Sequence, residues 1–378
     1  MDMNTFRSGV YQDRGDYKSF LPTLVNHSWE WTDAELNILL ERASSELGSL
    51  NAFSDLIPNI DIYIRMHIKT EANKSNKIEG TKTSIEEDLL PVEDIAPEKR
   101  DDQQEVHNYI KALNYGIKRI SDDDFPLCNR LICEIHKLLL SGVRGKYKTP
   151  GEMRKSQNWI GGSKPSDAVY VPPNIVDLPD LMSDLEKFIN ADNWNVPNLI
   201  KIAILHYQFE TIHPFLDGNG RIGRLIIPLY LLDKNMLSKP CFYISDFFEK
   251  HRTEYYDALN RVRLNNDLIG WVKFFLRAVI ETAKSAKLKF KRVTIYVKET
   301  EEKALKLGGR SENILKVLRL FYDEPVLDSS TITSKTGISK GTIDSILKRF
   351  YENNILDELT GYSRNRVFVL AEYLKIFI

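Results

Sequence analysis

Cysteine is scarce in this sequence. The 378 residues hold three, Cys128, Cys133 and Cys241, and no CxxC pair. That excludes a zinc site built on paired thiolates and a disulfide framework, and it fits a reducing compartment. Net charge is nearly absent as well: 52 Lys plus Arg stand against 53 Asp plus Glu, a formal charge of −1. Neither a globally basic coat for nucleic acid nor a strongly acidic one is possible, so any attraction to phosphate must be local. Long apolar runs are missing too. The stretch 225–232 is short and contains Pro228, and nothing approaches the ~20 apolar residues that span a bilayer. Residues 1–18 show no apolar h-region of a secretory signal. Together these absences lead us to expect a soluble cytoplasmic protein with no membrane partner.

Helical spacing dominates what is present. Residues 33–47 set Leu36, Leu39, Leu40 and Leu47 at helical intervals, and 61–74, 101–120, 126–140 and 178–189 read as further helices. Residues 196–210, 222–232 and 271–284 are apolar nearly all round, which predicts helices buried on most sides. The expected fold class is therefore mainly α. Four segments are expected: N-terminal helical residues 1–98, a core over 99–285, a charged linker helix over 286–310, and a C-terminal unit over 311–378. Gly308 and Gly309 mark the last break.

Residues 142–173 interrupt the helical rhythm with five glycines and four prolines. Two short runs, Gln157-Asn158-Trp159-Ile160 and Ala168-Val169-Tyr170-Val171, flank a Gly/Ser/Pro-rich turn and predict a β-hairpin carried on the helical body. A loop of this length is uncommon unless it has a function. In the C-terminal unit, residues 333–350 have helix-turn-helix form, with Gly337 in the turn and Ser339 as cap of the second helix. Two strands around Gly361, at 355–360 and 365–370, complete a unit that resembles a winged helix.

The densest chemistry lies in Thr211–Arg224, TIHPFLDGNGRIGR. Gly218, Gly220 and Gly223 fall where a helix begins, so backbone N–H groups and the positive helix end can form an anion site. Arg221 and Arg224 lie on one side of that helix, with forks that match phosphate oxygens. Asp217 offers a hard oxygen ligand suited to Mg²⁺ bridging two phosphates. His213 offers an imidazole that works as a general base near neutral pH. The loop is not a Walker A motif, since no Gly-Lys-Ser/Thr follows, nor a dinucleotide fingerprint, since no strand precedes it. His206, His136 and His251 read as structural or solvated.

HPFLDGNGRIGR resembles the Fic family signature, HPFxDGNGRxGR, at every specified position. The resemblance implies a helical Fic core with a β-hairpin flap, an N-terminal helical segment and a C-terminal winged helix. The activity it implies is transfer of AMP from ATP to a hydroxyl side chain of a protein, with Mg²⁺ or Mn²⁺ as metal. His213 would deprotonate the hydroxyl, Phe215 would anchor the loop, and Asp217 would hold the metal. Gly218, Asn219 and Gly220 would line the anion nest, with Gly223 beside them and Arg221 and Arg224 on the outer phosphates. The flap, 157–171, would take the target as an added strand.

Upstream, SNKIEG places Ser75 and Glu79 four apart on one helical face, with Gly80 as helix end. Beside a Fic core this resembles the family's inhibitory helix, S/TxxxEG, which implies that Glu79 pairs with Arg224. Downstream, Tyr255 and Tyr256 fall on a helix that by resemblance lines the adenine pocket; core packing is expected for at least one. Two other readings stand beside the transferase. One is removal of AMP, or transfer of another phosphate-linked group, on the same fold. The other is a DNA-binding regulator with a Fic sensor core. Residues 311–378 carry as many acidic as basic residues, which disfavours non-specific DNA binding and favours protein docking. ATP and a protein target with a hydroxyl are the expected partners; self-modification, a homodimer and DNA binding stay open.

Overall fold

Helices without a polar face have to be wrapped by other helices, and that requirement organises the chain. The computed structural model describes residues 1–57, 60–191, 195–308, 310–361 and 366–378. It opens with β1 (Gly9–Asp13) and β2 (Lys18–Pro22), then α1 (Ala34–Leu56), α2 (Ile60–Ile78), α3 (Ile85–Asp88), α4 (Arg100–Ser121) and α5 (Asn129–Leu139). After the long loop come α6 (Leu178–Asn190), α7 (Asn198–Ile212), α8 (Asn219–Asp233), α9 (Ser245–Lys250), α10 (Arg252–Asn265) and α11 (Leu268–Leu305). The C-terminal unit runs α12 (Ser311–Asp323), β3 (Val326–Asp328), α13 (Ser329–Thr336), α14 (Lys340–Glu352), β4 (Asp357–Glu358), β5 (Val367–Val369) and α15 (Ala371–Leu374). Its strands pair antiparallel in the order β3-β5-β4.

At the centre, every residue of α7 from Leu199 to Ile212 is buried, and α8 is buried from Arg221 to Leu232. α7 packs on α8, α6 and α11; α4 packs on α8, α5 and α2; α1 lies along α11. Trp271 of α11 is fully buried and donates its indole N–H to the Ala203 carbonyl at 2.8 Å, which ties α11 to the middle of α7. The predicted helices are all present; most ends shift by a few residues, but α1 runs on to Leu56 and α11 to Leu305, well past the expected ends at 47 and 284. No helix among the described residues is long and apolar enough to cross a membrane.

Four expectations are corrected. The N-terminal segment is not purely helical: β1 and β2 form a hairpin across the Asp13–Tyr17 turn, where Gly15 donates to the Asp13 carboxylate. The break expected at 285/286 falls inside α11, one uninterrupted helix whose long charged half continues the same axis. The flap is closed by a single antiparallel bridge, Ile160 to Tyr170, rather than by two strands, because the five glycines and four prolines of 142–173 leave few residues to pair. Ser339 stands at the start of α14, but its hydroxyl meets that of Thr342 at 2.9 Å instead of capping a backbone N–H. Gly309, Arg364 and Asn365 lie outside the described residues.

The inner helices carry the stability. Leu205, in the middle of α7, is fully buried. Leu205→Ala is expected to lower unfolding stability by about 2–5 kcal/mol, transfer and cavity together. Chemical denaturation is the measurement, and a loss under ~1 kcal/mol would mean that α7 is not the centre of the core.

Candidate active site

α7 ends where its polar residues begin. His213 takes a left-handed conformation (φ 51°, ψ 60°), which ends the helix and turns the chain out of the core. Its Nδ1 lies 3.3 Å from the Glu210 carbonyl. A carbonyl only accepts, so Nδ1 carries the proton and Nε2 keeps its lone pair. Burial, opposed by that bond, pulls the His213 pKa down to about 4, so the ring is neutral near pH 7. The half-buried imidazole is thus a base in the required tautomer.

The loop behind it is held at nearly every peptide. Phe215 is fully buried and stacks on His136 with centroids 3.8 Å apart and planes 11° off parallel. His136 accepts from Gly151 N–H at Nδ1 (2.9 Å) and donates from Nε2 to the Asp217 carbonyl (3.0 Å). The Asn219 amide both accepts from Phe215 N–H and donates to Phe215 C=O, each at 2.8 Å. Its side chain is a clamp on the backbone of Phe215, which leaves its own backbone N–H in the first turn of α8. From the flap side, Arg154 donates to the His213 carbonyl at 3.0 Å, and Asn158 to the carbonyls of His213 and Phe215 at 3.2 and 2.8 Å. Burial lowers the Arg154 pKa to about 10, which leaves it charged.

α8 begins at Asn219, directly after this loop, so its first N–H groups, which have no intrahelical acceptor, open towards the His213 side. Asp217 is 41% exposed at its side chain; its Oδ1 accepts from Gly218 N–H at 2.6 Å and pairs with Arg221 at 3.3 Å. Arg221 is nearly buried and pairs with Glu105 of α4 at 3.1 Å. Arg224 is 1% exposed and points at α2: Nε donates to Ser75 Oγ (2.8 Å), and Nη2 to the Ser75 carbonyl (3.0 Å) and Glu79 Oε1 (2.6 Å). Glu79 Oε1 lies so close over Gly220 that a Cβ there would overlap it. The carboxylate therefore covers the first turn of α8. Burial pushes the Glu79 carboxyl up, but Arg224, with Arg221, more than reverses this and holds it below its ordinary value. Gly80 has φ 102° and ends the α2 segment in the open.

Glu210, which sequence reasoning passed over, occupies the inner wall. It sits against Gly223, where a side chain would collide with its Oε1, and that oxygen has no hydrogen-bond partner among the described residues. Burial raises its pKa to about 7, with Arg224 opposing and Glu79 adding to the rise. His206 is a core histidine as expected: it donates to the Gly223 carbonyl at 3.0 Å and accepts from Tyr255 O–H at 2.9 Å. Tyr255 is thereby core, 1% exposed, while its neighbour Tyr256 is 37% exposed and free to face a base.

The structure thus brings His213, Asp217, Gly218, Gly220, Gly223, Arg221, Arg224, Ser75 and Glu79 together. Of the flap, Asn158, Tyr170 and Val171 turn inward, and Trp159, Ile160 and Val169 face solvent. Gln157 reaches back to the Pro172 carbonyl at 3.0 Å, and Ala168 is half-buried. Arg154, His136, Glu105 and Glu210 were not legible as site residues, because no local motif marks a partner that arrives from another helix.

Because its pKa is raised on folding, Glu210 stabilises the fold fully below about pH 4.5 and progressively less as pH climbs towards 7. Glu210→Gln keeps the uncharged shape. Its stability relative to wild type should grow by on the order of 2–3 kcal/mol between pH 4.5 and 8 in denaturant titrations. A difference that stays flat across that range would remove the raised pKa.

Known proteins match this chain on both sides of the site. The Fic/DOC family model matches residues 126–231, and the Fic/DOC family N-terminal model matches residues 38–118. The "Protein adenylyltransferase Fic" of Culex quinquefasciatus is 33% identical over 175 residues, 44% of this chain and 31% of that protein. The same-named protein of Aedes aegypti is 34% identical over 175 residues, 44% and 32%. The chain spans about a third of the length of these curated relatives. A crystal structure of a Fic family protein from Desulfovibrio desulfuricans G20 shares the fold at TM-score 0.55 and 21% identity, over 90% of this chain and 96% of that one. Fic-1 (aa134–508) from C. elegans also does so, at TM-score 0.55 and 20% identity, over 69% and 74%. The loop from His213 to Arg224, placed at the start of a buried helix, falls inside the matched segment, so the chain carries a Fic/DOC domain over residues 126–231, preceded by a Fic/DOC N-terminal region over residues 38–118.

Proposed function

We propose that this chain is a protein adenylyltransferase that moves AMP from ATP to a Ser, Thr or Tyr hydroxyl of a protein, and that Glu79 restrains it. The observation that carries this reading is a neutral His213, tautomer fixed by Glu210, beside the first turn of α8, whose N–H groups lack intrahelical acceptors. The named relatives support it, since two of them are called protein adenylyltransferase.

In this reading His213 Nε2 takes the proton of the incoming hydroxyl as its oxygen attacks the α-phosphorus. The bond from that phosphorus to the oxygen bridging the β-phosphate breaks, and pyrophosphate leaves with the electron pair. Preorganised N–H dipoles at the start of α8 and the cation Arg224 stabilise the negative charge, and need no rearrangement to do so. Arg221 contributes less directly, because Glu105 and Asp217 already share its guanidinium. Asp217 fits a Mg²⁺ or Mn²⁺ role: it is a half-exposed carboxylate next to the phosphate end, and Mg²⁺ is commonly held by one or two carboxylates plus substrate phosphates. Such an ion would neutralise phosphate charge.

The target would lie along the flap. Phe20 N–H of β2 donates to the Val171 carbonyl at 3.0 Å, which occupies the outer edge of the second flap strand. That leaves the edge of 157–160, with Trp159 and Ile160 exposed, for an added strand. We read 311–378 as a winged helix used for protein docking, because its charge is balanced. Free, scattered cysteines and ATP as donor fit a cytoplasmic site of action.

Two experiments test the reading. His213→Ala should abolish label transfer from ATP while ATP affinity persists, because the base acts on the nucleophile and not on the nucleotide. In wild type, the acid limb of kcat/KM should fall well below the ordinary imidazole range, towards pH 4, since only the protonated ring is inactive. Label transfer that survives His213→Ala removes the assignment. Second, Glu79→Gly and Glu79→Gln should both raise transfer, by about tenfold or more. Adding Arg224→Ala should cancel the gain, because the freed guanidinium is what the γ-phosphate needs. Equal rates in all Glu79 variants would reduce Glu79 to a helix end.

A further inference from the structure

The helix that carries Glu79 is held from its other end by the C-terminal unit. Tyr63, His67, Glu71, Ser75 and Glu79 follow one another at intervals of four along α2, so they form a slowly turning stripe about 24 Å long. At the lower end, Ser75 and Glu79 bind Arg224. In the middle, Glu71 is buried and accepts from Tyr109 O–H (2.9 Å) on α4 and from Ser245 N–H (3.0 Å) at the start of α9. At the upper end, α12 packs on α2. There His67 meets the edges of Phe377 (centroids 5.3 Å) and Phe290 (4.7 Å). Two cations of α2 grip the end of α12: Arg65 pairs with Asp323 at 2.9 Å, and Lys69 donates to the Asp323 carbonyl at 3.2 Å. Lys289 of α11 holds the Phe377 carbonyl at 3.0 Å.

This upper seat is not completely filled. A cavity of about 110 Å³ opens beside it, lined by His67, Glu71, Tyr243, Asp246 and Lys289. His67 Nε2 and Tyr243 Oη are buried there without a hydrogen-bond partner among the described residues. The Arg65–Asp323 pair is half-exposed at Arg65, so it contributes little by itself. A joint with unfilled volume and unmet polar groups rearranges at lower cost than a close-packed one.

We propose that residues 311–378 are the regulatory input of the site: seated on α2, they hold Glu79 against Arg224, and loosening that seat releases Glu79. The inference rests on the reading of Glu79 as the restraining group. A rigid helix with partners at both ends transmits a shift at one end to the other, and the coupling has a sign that can be measured.

The test is a double-mutant cycle on the full chain, read as label transferred from ATP to the protein itself and to lysate proteins, with ATP affinity measured alongside. Asp323→Ala combined with Phe377→Ala should raise transfer about fivefold or more in the parent chain and tighten ATP binding. In the Glu79→Gly chain the same pair should change nothing, because no restraint remains to be released. If that pair unfolds the C-terminal unit by circular dichroism, Arg65→Ala with Lys69→Ala, on the α2 side of the seat, carries the same test. No gain in the parent chain, or an equal change in both chains, overturns the coupling. If Glu79→Gly itself gives no gain, the restraint reading falls first, and this inference with it. If Glu79→Gly gains while the seat variants do not, only the coupling is lost.

Discussion

One buried cation sets the terms for the rest of the site. Arg224 is 1% exposed on a helix that is itself enclosed. A guanidinium out of water stands only where acceptors surround it, and removing one partner of such a pair typically costs 3–5 kcal/mol. Two acceptors come from Ser75 and one from Glu79. Ser75 contributes no charge, so the counter-charge is Glu79 alone among these three. A chain that loses Glu79 keeps a positioned cation with only neutral partners from α2. A phosphate is then the group best matched to its fork. In the proposed function, restraint and nucleotide affinity would therefore arise from the same buried charge.

The second constraint, in the proposed reaction, is that the loop before α8 must not move as charge develops beside it. Four separate devices fix it: the left-handed turn at His213, the Phe215–His136 stack, the Asn219 amide clamp, and the carbonyl contacts from Arg154 and Asn158. The last two satisfy backbone groups that the sharp turn would otherwise leave bare. Donors aimed in advance at the place where charge will appear stabilise a transition state without reorganisation, which is where most electrostatic catalysis comes from. The flap enters this scheme twice. It presents an outer edge to solvent, and through Asn158 and Arg154 it braces the base-bearing loop.

How much of this could be read in the sequence depended on whether the partners were local. The twelve residues from His213 to Arg224 announced themselves, because base, carboxylate, glycines and arginines act within one turn and one helix start. The four-residue spacing in SNKIEG put Ser75 and Glu79 on one face, but only the resemblance to the family's inhibitory helix singled out Glu79. Glu105, His136 and Arg154 reach the site from elements far away in sequence, and nothing near them marks it. Glu210 was hidden by its apolar neighbours: IAILHYQFETI reads as core, and its carboxylate is visible only once Gly223 is seen against it. Asn219 was read for its backbone N–H at the helix start; the clamp its side-chain amide makes on Phe215 was not legible. The N-terminal hairpin was missed because its strands are short and one of them is mostly exposed. The boundary placed at 285 failed for a different reason. A rise in charge marks a helix leaving the core as readily as a linker, and α11 does the former.

If Glu79 restrains the site as proposed, it can still be displaced, because the pair is strong in geometry but moderate in net free energy. The contact is intramolecular, so its effective concentration is of millimolar order or higher, enough to compete with a nucleotide at similar concentration. Yet the cost of burying Arg224 is borne by the fold whichever anion faces it, so exchanging carboxylate for phosphate changes the total by far less than either interaction alone. Glu79 is also the more weakly held partner, about one-third exposed where Arg224 is almost wholly covered. Water can therefore solvate the departing carboxylate at once. The cation stays where it is, and the anion leaves on a helix end that finishes in the open at Gly80. The mobile half of the pair thus lies on α2 and the fixed half on α8, which allows the state of one helix to be changed without disturbing the catalytic loop at the other.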